Sequence, residues 1–146
     1  MNHPEKRITD FIHKHHVLTL ATSTENNPWC ASCFYVWLED ENSFVFTSDD
    51  ATKHVQDVLK NSKVAGSVVL ETSVVGKIRG IQFRGEMYIP ENELASKAKI
   101  AYLKKFPFAV LMKTSLWVLN VNYIKMTDNR LGFGKKLIWE SDDNKN

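Results

Sequence analysis

Apolar and polar positions change period several times along the chain, and each change marks an element. Ile8, Phe11, Ile12 and His15 recur at three- and four-residue spacing, which predicts a helix over 4–15. From 17 to 23 the pattern switches to alternation, with Leu18 and Leu20 set against Val17, Thr19 and Ala21, the period of a strand with two different faces. Residues 24–28 have turn composition, and the aromatic-rich run 29–38 predicts a second strand. Residues 39–42 read as a hairpin loop, so 43–48 returns as a third strand and the first three form a meander. Val55, Val58 and Leu59 share one face of a helix predicted over 51–61.

Strands follow at 64–70 and 77–89. The second contains Gly80 and Gly85, and glycine inside a strand marks a bulge, a corner or a close backbone approach. Leu94, Ala98, Ala101 and Tyr102 trace a stripe on a third helix, 91–105, which Phe106-Pro107 stops. A sixth strand is predicted over 115–126, then a closing segment over 131–139. Short connections between successive strands imply antiparallel pairing. The expected fold is mainly β with peripheral helices, a six-stranded antiparallel barrel. It forms one domain over 1–140, with a polar tail at 141–146 that is expected to fray.

A hydrophobic share of 43% and a charged share of 25% are those of an ordinary globular domain. The net charge of +2 is too small to argue for a nucleic-acid partner. No apolar run is long enough for a membrane helix, and the first ten residues have no apolar signal core, so a cytoplasmic protein is expected. The two cysteines form Cys30-Ala31-Ser32-Cys33. In a helix or loop this spacing suggests a redox or metal pair, but strand alternation sends positions three apart to opposite faces. Two reduced, buried thiols are therefore expected. His13 and His16 share a helical face, yet no Cys, Asp or Glu at ligand spacing joins them, so no metal site is predicted.

The stretch with the most chemistry is 43–54, where Phe46-Thr47-Ser48 ends a strand and Asp49-Asp50 stand as helix caps before Thr52 and Lys53. A strand end that brings free N–H groups, hydroxyls and one lysine together can hold an anion. The same residues also suit an ordinary strand-to-helix joint with an acidic cap.

With this layout, the segments Trp29-Cys30-Ala31-Ser32-Cys33-Phe34-Tyr35, Ile78-Arg79-Gly80-Ile81-Gln82-Phe83-Arg84-Gly85-Glu86 and 127–139 resemble the FMN-binding split-barrel superfamily of pyridoxamine 5'-phosphate oxidase-like proteins. Within it the chain is similar to the small bacterial YhbP-like family. The resemblance implies a Greek-key split barrel and a homodimer with FMN in a groove between subunits. It also implies that Phe46, Thr47 and Ser48 run beside the flavin and ribityl chain, and that Thr52 and Lys53 meet the phosphate, with the strand carrying Arg79 and Gln82 nearby. Superfamily members often offer the phosphate an arginine from the second strand; here Ala31 and Ser32 stand there, and Arg79 or Arg84 is the expected substitute. No triad or carboxylate pair suggests a catalytic residue. The functions in view are an FMN-dependent oxidoreductase acting on a small molecule, a non-catalytic flavin- or haem-binding protein, and a cofactor-free structural dimer.

Overall fold

The computed structural model describes residues 1–145. Its elements in chain order are α1 (Lys6–Lys14), β1 (Val17–Thr24), β2 (Asn27–Phe34), β3 (Val36–Leu38), β4 (Ser43–Ser48), α2 (Lys53–Lys60), β5 (Lys63–Val69), β6 (Arg79–Tyr88), α3 (Asn92–Lys105), β7 (Ser115–Asp128) and β8 (Lys136–Glu140). All pairings are antiparallel, in the order β2-β1-β5-β6-β7-β4-β3, with β8 also on β7. This is one curled, open antiparallel sheet, consistent with a split barrel. No helix among the described residues is long and apolar enough to cross a membrane.

The strand count is eight, not the expected six, for two reasons. The run 29–38 is divided at Tyr35, because its halves serve different neighbours: β2 pairs with β1, and β3 pairs with β4. Tyr35 makes the corner, fully buried, with its hydroxyl donating to the carbonyl of Ile12 at 2.6 Å and its N–H to His16 O at 2.9 Å. The closing segment supplies the eighth strand. β7 is long enough to carry β4 along its first half and β8 along its second, while β6 runs down its other edge.

Phe44 is the centre of the core. Its ring centroid lies 4.6 Å from that of Phe83, 4.8 Å from Trp37 and 4.9 Å from Tyr35, within the range of favourable aromatic contact. Trp37 and Tyr35 are thus hidden within one chain, while Trp29 and Phe34 stay about half exposed. Gly85 sits where the β6–β7 ladder shifts register, so the strand-interior glycine does mark a bulge. α1 closes one end of the sheet with Ile8, Phe11 and Ile12. The tail is held rather than frayed at its start: Asn2 and Asp142 exchange hydrogen bonds of 3.1 and 3.2 Å. Its last residue, Asn146, lies outside the described residues.

Candidate functional site

β4 delivers its last three residues in different directions. Phe46 is fully buried in the core and Ser48 nearly so. Thr47 points the other way, towards α3, where its Oγ1 comes within 3.5 Å of the Tyr102 hydroxyl. Thr47 and Tyr102 line a cavity of about 500 Å³ between α3, the 3-10 turn Pro107–Leu111 and the start of β7. Leu103, Val110, Met112 and Leu116 make most of its wall apolar, and Lys99 adds one charge.

The caps are not those expected. Asp49 closes a turn, its Oδ1 accepting from the N–H of Ala51 at 2.8 Å and its carbonyl accepting from Thr52. α2 therefore begins at Lys53, two residues later than the spacing predicts, with Thr52 as its N-cap residue. The Thr52 hydroxyl is spent on the Asp49 carbonyl at 2.7 Å, so no side chain accepts from the first N–H groups of α2. Those groups have no intrahelical partner either.

Lys53 leads the helix. Its Nζ donates to both oxygens of Asp57, at 3.0 and 3.1 Å, and stands 5.7 Å from the Trp29 ring centroid. Thr22 also donates to Asp57, at 2.9 Å. The lysine, and secondarily the Thr22 hydroxyl, hold the Asp57 carboxyl below the usual range against the opposing effect of burial. Beneath them His54 Nε2 lies 2.8 Å from Ser48 Oγ. Burial lowers the His54 pKa more than the nearby Asp57 charge raises it, so the ring is neutral at pH 7. Pattern reading missed Asp57, although its i,i+4 spacing from Lys53 is a legible signal. It also missed His54, Tyr102 and the cavity, which depend on contacts distant in sequence.

The remaining expected site residues are elsewhere. Gln82 is exposed on β6, opposite Ser67 and Lys125, on a sheet face that also carries Thr19, Ala21, Cys30, Ser32 and Phe34. Arg79 lies at the other end of the sheet from Lys53. Leu70 N–H donates to Arg79 O at 3.0 Å, near the Val17 end of β1, whereas Asp57 binds Thr22 at the far end. The separation along the strands is roughly 15 Å or more.

Cys30 and Cys33 lie on opposite faces, opposite Ala21 and Leu18, and both are free. Only Cys33 is buried, on the core face with Leu18; Cys30 is exposed on the outer face with Ala21. Burial pushes the Cys33 thiol up to about 11, although the Ser48 hydroxyl opposes this. Since the thiolate is the reactive form, a maleimide is expected to spare Cys33 in native protein and to reach it only after denaturation. Mass spectrometry of tryptic peptides checks this; early labelling of Cys33 would contradict the burial.

The curled, open antiparallel sheet with three helices is consistent with the split-barrel class. Residues 4–127 match the family described as Pyridoxamine 5'-phosphate oxidase. A UPF0306 protein from Photorhabdus laumondii is 43% identical over 130 residues, covering 89% of this chain and 91% of the relative. The chain belongs to the pyridoxamine 5'-phosphate oxidase-like family and, within it, to the UPF0306 group. Among solved structures, a haem-binding protein from Mycobacterium smegmatis shares the fold at TM-score 0.73 and 22% identity, over 86% of this chain and 52% of that one. An FAD-binding protein from Mesorhizobium loti does so at TM-score 0.68 and 11% identity, over 82% and 91%.

Proposed function

We propose that this protein binds FMN as a homodimer, with the flavin phosphate at the start of α2. The observation that carries this reading is a helix N-terminus with no side-chain acceptor for its first N–H groups and the Lys53 ammonium on its first residue. A phosphate there would meet free N–H groups, the positive end of the helix dipole and a charged donor together. The Thr52 hydroxyl would have to release the Asp49 carbonyl before it could donate to the phosphate. Thr47 and the apolar wall beside it suit the ribityl chain and ring, while Phe46 and Ser48 would support that strand end from within. Bound flavin would supply hydride chemistry, as in an oxidoreductase acting on a small molecule; the residues named here bind and orient it.

The dimer has its own support. The face bearing Thr19, Ala21, Ser67 and Gln82 has small side chains that permit close approach, beside exposed Phe34 and Val69. Gln82 would then stand towards the partner. Light scattering is expected to give twice the chain mass at micromolar concentration; a monomer with and without FMN would refute the assembly.

Haem is the second reading, because Tyr102 and Met112 on the cavity wall are both axial-ligand types. Visible absorbance separates the two, since flavin and Soret bands differ. The decisive test is a pair of titrations. Lys53→Ala is expected to weaken FMN binding about tenfold or more, the size of a lost charge-assisted hydrogen bond, and to leave riboflavin affinity nearly unchanged. Equal losses for both ligands would reduce Lys53 to a support for Asp57.

A further inference from the structure

The end of the sheet opposite Lys53 gathers positive charge. α1 contributes Lys6, Arg7 and Lys14, the first residue of β6 contributes Arg79, and the 3-10 turn after β7 contributes Arg130. These five side chains line one cavity of about 360 Å³. Phe11 gives it an apolar wall, and Asp10, paired with Lys6 at 2.7 Å, is its one lining carboxylate.

A carboxylate outside the lining sets the geometry. Asp128 is completely buried and holds two of the guanidinium groups. Arg130 spends Nε at 3.1 Å and Nη2 at 2.9 Å on it, and Arg7 spends one Nη1 at 3.2 Å. Arg130 Nη1 and the Nε–Nη2 edge of Arg7 have no hydrogen-bond partner among the described residues. Lys14 and Arg79 have no ion-pair partner there, and Arg79 Nε is buried without a hydrogen bond. Counting Asp10 and Asp128, the cluster keeps three positive charges in excess. Burying a guanidinium N–H without an acceptor is costly, and such an arrangement is relieved by an oxyanion.

We propose that this cavity is a second binding site, for a small molecule bearing a phosphate or pyrophosphate group. Planar donor forks fixed by a buried carboxylate suit tetrahedral oxyanions, and the volume exceeds that of a bare ion, leaving room beside Phe11 for an organic part. The site is separate from the start of α2, so it does not depend on FMN binding.

The test uses inorganic phosphate and pyrophosphate, titrated at constant ionic strength into the ¹⁵N-labelled full chain. Saturable amide shifts are expected at 6–14, 79 and 129–131, with pyrophosphate binding more tightly than phosphate. Lys14→Gln, on an exposed helix face, and Arg79→Gln are each expected to weaken pyrophosphate about tenfold, whereas Lys53→Ala leaves these shifts in place. Shifts confined to 49–54, shifts that never saturate, or unchanged affinity in the folded Lys14→Gln variant would each overturn the proposal.

Discussion

Replacing Gly85 with alanine is expected to lower the unfolding free energy by about 3 kcal/mol, at the upper end of what overpacking costs. A β-carbon at Gly85 would be driven onto the Asn120 carbonyl oxygen, with the carbonyl carbon at 2.9 Å and Leu119 Cδ2 at 3.0 Å. A clash with the tip of a flexible side chain is relieved by rotation. Here the obstacle is the backbone of β7, which is pinned on its other edge by the β4 ladder. Asn120 N–H and C=O cannot move without disturbing the pairing of both β6 and β4. Urea unfolding of wild type and variant at equal slope measures the loss. A change below about 1 kcal/mol would mean that the bulge absorbs the methyl group, and that β7 is softer than its pairing implies.

Asp128→Asn is expected to cost about as much, for an electrostatic reason. The carboxyl is held down from 3.8 to about 2, chiefly by the Arg130 side-chain hydrogen bond, with the Arg130 N–H and Arg7 adding to it against the effect of burial. A shift of nearly two units corresponds to roughly 2.5 kcal/mol. The amide also presents N–H groups to guanidinium donors, which adds at least one unmade hydrogen bond. The sign follows from the depressed folded-state value. This stabilisation is complete above pH 4, where the unfolded chain is ionised, and is lost as pH falls from 4 towards 2. Wild type should lose this increment over that window, and Asp128→Asn should lack that part of the acid dependence while being weaker at pH 7. Equal acid profiles in the two proteins would show that the carboxylate contributes little.

The helices were legible because their apolar spacing is local. All three occur, with ends displaced by one or two residues: α2 starts at Lys53 instead of 51, where an Asx turn at Asp49 delays it. The break at Tyr35 was not legible. Tyr35 is an aromatic strand former among others, and only its hydroxyl bond to Ile12 and its packing on Phe44 make it a corner. The strand-turn-helix around Lys53 was likewise visible as chemistry, because its residues are neighbours in sequence. The resemblance groups Arg79 with it, and residue order alone does not tell which end of a sheet a strand residue occupies. That follows from register, here the pairing of Leu70 with Arg79, which forms only when β5 and β6 meet.

The position of β7 in the chain also constrains how the protein is made. β7 is the seventh of eight strands to be synthesised, yet among the described residues it is the only strand whose ladders join two groups of strands. A nascent chain that has not yet delivered residue 115 can assemble β2-β1-β5-β6 and, separately, β3-β4, with no ladder joining them. Until then β4, with Phe44, Val45 and Phe46, and β6, with Ile81, Phe83 and Met87, each have an open edge beside apolar side chains. Such edges are templates for pairing between chains. Ribosomal pausing shortly before β7, or premature termination there, would therefore leave an aggregation-prone product, whereas a stop after Asp128 would spare the ladders of the joined sheet while removing β8 and the turn that carries Arg130.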